Sequence, residues 1–380
     1  MGHRRDTETG EPAAASRLRV AVSMLSLIPG GMGGSETYAR ELIRELARST
    51  RVAAETWVAG LGIGFSGEVP EHVVTGVTGG ESTGARLVTL AQARRRRGRI
   101  RRDLGTADVI HYPFTAPVPW PPREAAVTVS LLDVQHLDLP GLFSRAERLY
   151  RRRYYDHAAR RADAVVTISA FAKQSIVDRL GIDPDRITVA HLGVDASAYT
   201  PNLGDRERFV FYPARGWPHK NHARLVEAVR LLRKDSPDLR LVLTGGGLDR
   251  LGPLPEWVDV RGLVPPAEVR EMYRAAACLV FPSLYEGFGL PPLEAMASGC
   301  PVAASDAGSL PEVCGDAAVL VDARDPAAIA AGTAQAIERS AELQLRGLAQ
   351  VRSFTWARCA TAHEDAYLSA ADAATGRRAS

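Results

Sequence analysis

Strand-like and helix-like segments alternate along almost the whole chain, and this alternation limits the possible folds more than any other feature. Short apolar runs rich in Val and Ile are each followed by a longer segment whose apolar residues recur at helical spacing. The first such pair is LRVAVSM (18–24) and SETYARELIRELAR (35–48). A parallel strand needs a crossover to reach the next one, so this order predicts an α/β fold with mainly parallel sheets covered on both faces.

The alternation continues to the end of the chain and restarts once. In the first half, strands are predicted at WVAG, HVVTGV, ADVIHYP, AAVTVSLL, AVVTIS and ITVAHLG, with long helices over about 82–103 and 143–162. PNLGDRER (201–208) is a polar, turn-rich break, after which the pattern begins again with RFVFYPA. Because 380 residues exceed what one hydrophobic core usually spans, two domains are expected.

The predicted domains are residues 18–200 and 201–353, two Rossmann-like units that face a central cleft. Residues 1–17 are polar and have no apolar core segment, which predicts a disordered tail rather than a signal peptide. Ligands of such sheets bind outside the carboxyl ends of the strands, so the loops that follow strands are the places to look for a functional site.

Charge and cysteine content narrow the class of protein. The net charge of +3 requires no nucleic-acid partner. No apolar run approaches the roughly 20 residues of a membrane helix. The four cysteines form no C-x-x-C pair and have no nearby histidine cluster, so we expect neither a disulfide framework nor a metal site. A cytoplasmic location, with no cofactor, is the expectation.

The stretch FPSLYEGFGLPPLEAMASGCPV (281–302) contains two glutamates in an unusual context. An apolar strand precedes a glycine-containing loop, and Pro291 and Pro292 suit the first turn of a helix. Glu286 then lies in the loop, and Glu294 lies near the helix start. The backbone amides suit a phosphate and the carboxylates suit hydroxyl groups. The alternative is structural: Glu294 complements the helix dipole and Glu286 caps a turn.

Two cations follow another strand, in FYPARGWPHKN (211–221). Arg215 and Lys220 would face the cleft from one loop and could neutralise a diphosphate leaving group. A merely solvated pair is the alternative. Asn221 is a candidate N-cap of the next helix.

A glycine-rich loop, GGMGG (30–34), follows the first strand and precedes a helix. Gly33 and Gly34 would allow a ligand to approach the backbone at a helix N-terminus. A tight turn without a ligand is the alternative. Residues 62–67, GIGFSG, match G-x-G-x-x-G literally, but they follow a later strand and precede no evident helix, so they are interpreted as a loop.

Asp133 and His136 lie together after the strand AAVTVSLL, where a polar site is reasonable. His136 could contact a substrate, or it could be a hydrogen-bonded loop histidine. Ser169 is a candidate N-cap after the strand AVVTIS.

The spacing from Glu286 to Glu294, within F-P-S-x-x-E-G-F-G-L-P-x-x-E-A-M-A-x-G-x-P-V, resembles the E-x7-E signature of retaining nucleotide-sugar glycosyltransferases of family four (group 1). The resemblance covers about residues 18–370 and implies the GT-B fold. It also implies that a last helix over 354–371 crosses back to the first domain. D-x-Q-H-L-x-x-P-x-x-F-S, beginning at Asp133, resembles a mannosyltransferase-like subgroup.

The resemblance assigns roles to individual residues. Glu286 holds the sugar, Glu294 holds the ribose, and Arg215 with Lys220 holds the diphosphate. Many relatives have a histidine directly before the aspartate, where this chain has Leu132, so His136 is the candidate substitute on the acceptor side together with Asp133. The remaining residues implied in donor binding are Gly33, Gly34, Gly245, Phe288, Gly289 and Leu290.

Two segments are rich in arginine: RRRRGRIRR (94–102) and RAERLYRRRYYDHAARR (145–161). Such runs usually form a solvated helix face. They could instead contact an anionic membrane surface from the cytoplasmic side or bind an anionic acceptor. Nucleic acid is unlikely because no recognition motif accompanies them.

The sequence thus predicts a metal-independent enzyme that moves a hexose, with mannose favoured, from a nucleoside diphosphate sugar to a hydroxyl acceptor with retention. The acceptor could be a glycan, a lipid-linked sugar or a small natural product. The alternatives are a nucleotide-sugar epimerase or phosphorylase-like enzyme on the same fold, or a non-catalytic protein that binds anionic surfaces or nucleic acid.

Overall fold

The computed structural model describes residues 17–80, 83–122 and 125–379. The predicted disordered tail of residues 1–17 therefore lies outside the described residues, except for Arg17. No helix in the described ranges is long and apolar enough to cross a membrane.

The first domain contains a seven-stranded parallel sheet with the strand order β3-β2-β1-β4-β5-β6-β7. Its strands are β1 Leu18–Met24, β2 Val52–Val58, β3 Glu71–Val73, β4 Val109–Tyr112, β5 Ala126–Ser130, β6 Ala164–Thr167 and β7 Ile187–Val189. The helices between them are α1 Gly34–Leu46, α2 Thr83–Arg95, α3 Arg97–Leu104, α4 Gln135–Asp138, α5 Arg145–Arg151, α6 His157–Arg161 and α7 Ala170–Leu180.

The second domain repeats this plan with a six-stranded parallel sheet ordered β10-β9-β8-β11-β12-β13. Its strands are β8 Glu207–Pro213, β9 Arg240–Thr244, β10 Val258–Gly262, β11 Ala276–Phe281, β12 Val302–Ser305 and β13 Val319–Val321. Its helices are α8 His222–Leu232, α9 Pro266–Ala275, α10 Leu290–Ala297, α11 Leu310–Cys314, α12 Pro326–Glu338 and α13 Ser340–Val351, and the chain ends in α14 Trp356–Ala379.

Both sheets reverse their strand order at one point, between β1 and β4 in the first domain and between β8 and β11 in the second. A crevice opens at such a point beyond the carboxyl ends of the strands. The predicted division after residue 200 falls between the two sheets. The predicted α/β class with two Rossmann-like sheets is confirmed.

The strands are apolar because helices cover both sheet faces. The central strands β1, β5, β8 and β11 contribute side chains that are almost completely buried, such as Val22, Val129, Val210 and Leu279. Each apolar run therefore stabilises the sheet from both sides, which explains why the runs are nearly continuous rather than alternating.

The long helix predicted over 82–103 is wrong in one respect, because it is two helices that meet at Arg96. Arg96 extends across Gly76, where an added Cβ would lie 2.2 Å from the guanidinium Nη2. The predicted strand HVVTGV is also shorter than expected: only Glu71–Val73 pairs with β2. The sequence pattern therefore overestimated the length of both elements.

The helix predicted over 143–162 begins at a capping box formed by Ser144 and Glu147. Its middle, Arg152–Asp156, is a π-helical turn between α5 and α6. The wider turn accompanies a buried position for Asp156. Turns of this kind are frequent near functional sites.

Helix α14 returns to the first domain, as the family resemblance implied. The Tyr367 hydroxyl lies 2.8 Å from Nδ1 of His111, a buried residue of strand β4. His363 donates from Nδ1 to the Cys359 carbonyl (2.8 Å), so its Nε2 accepts from the Tyr38 hydroxyl at 2.7 Å. These bonds are buried and join the end of the chain to α1 and β4.

Candidate active site

The stretch that carries the two glutamates has the predicted strand–loop–helix form. β11 ends at Phe281, and α10 begins at Leu290 with Pro291 and Pro292 in its first turn. Gly289 has a φ of +112°, and an added Cβ there would lie 2.6 Å from a Leu310 methyl group. Only glycine fits this position, so the turn presents the backbone directly before the helix N-terminus.

Lys220 and Glu286 form an ion pair at this turn. Lys220 Nζ lies 2.5 Å from Glu286 Oε1, and each side chain is only 14% exposed. The two loops are also joined by their backbones, because the Leu284 N–H donates to the His219 carbonyl at 2.8 Å. The predicted lysine and glutamate therefore act on each other directly, which the sequence did not indicate.

Glycines hold the loops after β8 and β9 in backbone contact. An added Cβ on Gly216 would lie 2.1 Å from the Gly247 carbonyl oxygen, and one on Gly245 would lie 2.4 Å from the Ala214 oxygen. The loop that carries Arg215 is thus fixed against its neighbour. Gly245 is predicted to lie near the donor, and its observed role is this close approach.

Asn221 is not a side-chain N-cap, contrary to the prediction. It has a φ of +63°, and no side-chain bond caps α8. Its Nδ2 instead donates to the carbonyls of Pro282 (3.0 Å) and Ala323 (2.7 Å). The amide therefore ties together three loops at the carboxyl edge of the second sheet.

The glycine loop of the first domain faces this assembly. Gly33 has a φ of +57°, and an added Cβ would lie 3.7 Å from Arg215 Nη2. Gly34 begins α1 and has open space around it. An anion near Arg215 would thus be close to the N-terminus of α1, where the helix dipole favours negative charge.

The literal G-x-G-x-x-G at 62–67 is a loop, as predicted. The Glu71 carboxylate accepts from the Gly64 N–H (2.9 Å), from the Ser66 N–H (3.2 Å) and from the Ser66 hydroxyl (2.7 Å). The amides that would contact a phosphate are therefore bonded to a side chain of the same domain.

Asp133 lies against the loop that carries Glu286. A Cβ added to Gly287 would lie 3.2 Å from Asp133 Oδ2. Asp133 Oδ1 accepts the Gln135 N–H at 3.0 Å. Burial raises the pKa of this carboxyl, and nearby Glu286 raises it further, against the lowering effect of Arg151 and His136. Asp133 of the first domain therefore lies beside the second-domain loop that carries Glu286.

His136 lies in the interior rather than on the cleft surface. It is 2% exposed, and its Nε2 is 2.9 Å from Asp156 Oδ1, which is also buried. Its Nδ1 has no hydrogen-bond partner among the described residues. Direct contact between this ring and a substrate is not supported by the geometry, and its catalytic role remains a prediction.

Glu294 is held by two tyrosine hydroxyls. The Tyr273 hydroxyl donates to Oε2 at 2.8 Å, and Tyr199 also bonds to the carboxyl. Burial raises the pKa of Glu294, whereas these two hydrogen bonds lower it. Both the predicted ribose contact of Glu294 and its structural alternative remain predictions.

The Phe288 side chain lies in the interior, and its predicted part in donor binding remains a prediction. Its side chain is 3% exposed and packs edge-on against the Phe354 ring at a centroid distance of 5.8 Å. Only its backbone is available near the loop, and its carbonyl accepts from Ser309 Oγ at 2.6 Å. Leu290, at the start of α10, is half-buried.

Sequence reasoning missed several residues that position the site. Ser309 donates to the carbonyls of Glu286 and Phe288, so it holds the loop from behind. Glu312 accepts from the Ala170 N–H at 2.8 Å and therefore joins α11 to the start of α7 in the other domain. Ser169, a correctly predicted N-cap, also donates to the Gly287 carbonyl at 2.7 Å.

A cavity of about 470 Å³ lies between the domains and is here named the cleft cavity. Met32, Ser35 and Asp133 line it from the first domain, and Trp217 and His219 line it from the second. Among residues 17–80, 83–122 and 125–379, no group of three or more His, Cys, Asp or Glu side chains is placed to hold a metal ion. Two Rossmann-like domains, cations at a switch point and facing carboxylates define a class: a two-domain α/β protein with a charged cleft between its sheets.

Comparison with known proteins identifies the family. Residues 199–347 match the family described as glycosyl transferases group 1, and residues 32–198 match glycosyltransferase family 4. O-antigen chain mannosyltransferase B of Escherichia coli is 31% identical over 269 residues, which is 64% of this chain and 70% of that protein. D-inositol 3-phosphate glycosyltransferase of Geodermatophilus obscurus is 29% identical over 100% of this chain and 95% of its own length.

The fold has solved relatives. Sucrose-phosphate synthase of Thermosynechococcus elongatus superimposes with a TM-score of 0.72 and 18% identity, over 93% of this chain and 98% of that one. The chain belongs to the group 1, family 4 glycosyltransferases and has the GT-B fold. The protein is therefore a glycosyltransferase, rather than the non-catalytic binding protein that the sequence left open.

Proposed function

We propose that this protein transfers a hexosyl group, with mannosyl the first candidate, from a nucleoside diphosphate sugar to a hydroxyl of an acceptor. The observation that carries the proposal is the Lys220–Glu286 ion pair, placed with Arg215 at the switch point of the second sheet and opposite Gly33 of the first. A mannose donor is supported by the name of the E. coli relative.

The charges suit a diphosphate leaving group. As the bond between the anomeric carbon and the diphosphate oxygen breaks, negative charge grows on that oxygen, and Arg215 and Lys220 stabilise it. The amides of Gly289 and Leu290 at the start of α10 add hydrogen-bond donors. We infer that these cations make a metal ion unnecessary. Transfer that stops when EDTA is added would contradict this part of the proposal.

The carboxylates suit hydroxyl groups. Glu286 accepts bonds from the sugar, and Glu294 keeps acceptor capacity for a ribose beside its two tyrosines. Asp133 faces the same point from the acceptor side. Retention of the anomeric configuration is part of the proposal, and proton NMR of the first product is its test.

A thermal-protection screen tests the donor site. Purified protein is heated with individual nucleotide sugars, and the donor is expected to raise the Tm by several degrees. Lys220→Ala and Glu286→Ala should abolish this protection. Lys234→Ala is the matched control, because Lys234 is an exposed lysine of the same domain. Undiminished protection of the first two variants would show that the donor binds elsewhere.

A further inference from the structure

The two arginine-rich segments, separated by about 50 residues in the chain, meet around one cavity. This cavity of about 600 Å³ is here named the arginine pocket, and its charged or aromatic lining residues are Arg94, Arg97, Arg101, Arg153, Arg161, His157, Tyr154 and Trp120. A solvated helix face would spread its charges outward. Here helices α2, α3 and α6 and the π-helical turn direct them to a common concave site.

The charge of the arginine pocket is uncompensated among the described residues. None of its five arginines forms an ion pair with a described carboxylate, whereas Arg99 in the same segment faces Asp103 at 3.9 Å. Burial, and then the neighbouring guanidiniums of Arg161 and Arg153, lower the pKa of His157. A concave group of unpaired guanidiniums suits phosphate, which arginine binds through two parallel hydrogen bonds.

Trp120 organises the floor of the arginine pocket. Arg101 Nε donates to its backbone carbonyl at 2.7 Å, and the Arg161 guanidinium lies 5.1 Å from its ring centroid. These contacts fix two of the five cations before any ligand arrives. Pre-ordered guanidiniums lose less conformational entropy when they bind an anion.

The arginine pocket and the cleft cavity each share lining residues with a third cavity that lies between them. This third cavity of about 620 Å³, here named the apolar cavity, is lined largely by Leu27, Ile28, Phe114 and other apolar residues. Leu90 and Val118 line both the arginine pocket and the apolar cavity. Phe114 and Tyr155 line both the apolar cavity and the cleft cavity.

We propose that the arginine pocket binds a phosphate group at the far end of the acceptor substrate, whose apolar middle lies in the apolar cavity and whose hydroxyl lies in the cleft cavity. The order of the three cavities carries this inference, since it matches an amphiphile with a hydroxyl at one end and an anion at the other. The inference rests on the proposed function for the identity of the acceptor end, but binding in the pocket is measurable without any transfer reaction.

The test uses n-octyl phosphate below its micellar concentration, with binding measured by isothermal titration calorimetry. Arg97→Gln/Arg153→Gln should weaken binding about tenfold or more. Arg95→Gln/Arg152→Gln is the matched control: it removes the same charge from the same segments, at residues that do not line the pocket. This control should change the affinity no more than about twofold.

Two further ligands measure separately how much the alkyl chain and the phosphate group contribute to binding. Ethyl phosphate should bind about tenfold more weakly than octyl phosphate, because it leaves the apolar cavity unfilled. Octyl glucoside, which has the same chain and no phosphate, should also bind about tenfold more weakly. Equal affinity for octyl glucoside and octyl phosphate would overturn the assignment of a phosphate.

Two alternatives have distinct outcomes. If octyl phosphate occupied the donor site, Lys220→Ala would abolish its binding and Arg97→Gln/Arg153→Gln would leave its binding unchanged. We expect that Lys220→Ala leaves the binding unchanged and that the double variant weakens it. If the arginines only met a lipid surface, both double variants would equally reduce sedimentation with vesicles containing about 30% phosphatidylglycerol, and neither would affect octyl phosphate. Either result would overturn the proposal, while donor protection in the thermal screen would remain a separate measurement.

Discussion

The two domains share a strand order, but they build their sides of the cleft differently. In the second domain, loops pack backbone against backbone through Gly216, Gly245 and Gly308, and the Lys220–Glu286 pair closes them together. In the first domain, Gly34 has open space around it, and two larger cavities lie beside the cleft cavity. The second-domain side, which we propose as the donor side, is thus fixed by local close packing. The first-domain side, which we propose as the acceptor side, is formed by segments that are distant in the chain.

The largest expected effect concerns the ion pair of the donor side. Lys220→Met and Glu286→Gln should each lower kcat/KM by about 100- to 1,000-fold, because a fixed charge at the reacting diphosphate or sugar is lost. The double variant should be little worse than the poorer single variant, since the two groups act as a unit. Steady-state kinetics with the donor found in the screen measure both.

The exposed pair Arg230–Glu227 on α8 is the matched control for this experiment. Arg230→Met and Glu227→Gln should leave kcat/KM within about twofold, because surface pairs contribute little. Independent, multiplying losses for Lys220 and Glu286 would show that each residue acts without the ion pair and would contradict their action as a unit.

Two glycine substitutions compare how tightly the loops on the two sides of the cleft are packed. Gly216→Ala should lower the free energy of unfolding by about 2–3 kcal/mol, because its Cβ meets the Gly247 carbonyl at 2.1 Å. Gly34→Ala should change it by no more than about 0.5 kcal/mol, since nothing lies within 4 Å of the added Cβ. Chemical denaturation measures both, and equal losses would remove the proposed distinction between the sides.

The same contrast explains what the sequence could predict. Apolar runs of strand length identified the strands of both sheets, and the donor loops were visible because their glycines, prolines and charges lie within short stretches. The break at Arg96 was not visible in the sequence, and the Arg96 side chain lies beside Gly76 on another segment. The tyrosines beside Glu294 and the grouping of arginines around Trp120 also depend on contacts between distant residues.

His136 and Asp133 test whether the acceptor side has one catalytic group or two. His136→Gln should cost about 1–3 kcal/mol of stability by breaking the buried bond to Asp156, while kcat changes no more than about threefold. Asp133→Asn should lower kcat about tenfold with little loss of stability, because it faces Gly287 at the cleft. A His136→Gln variant that is stable but inactive would restore the catalytic role predicted for this histidine.

The smallest effect concerns the dependence of stability on pH, and it involves the contact between α14 and the first domain. Burial lowers the pKa of His363 to about 4 in the folded protein, whereas an unfolded histidine titrates near 6.5. Between pH 6.5 and pH 4, His363 is protonated in the unfolded state and remains neutral in the folded state. The stability that neutral His363 contributes is therefore complete above about pH 6.5 and is lost as the pH falls towards 4.

Between pH 7 and pH 5.5 this single histidine should lower the free energy of unfolding by about 1 kcal/mol. His363→Gln should flatten the pH dependence by that amount, whatever its effect on absolute stability. Tyr38→Phe is the control: it removes the hydroxyl bonded to His363 but keeps the imidazole, so the slope should persist. Buried His111, whose pKa is also lowered by burial and then by His363, lies at the same contact. A slope that survives in His363→Gln and disappears in His111→Gln would assign the acid sensitivity to β4 instead of α14.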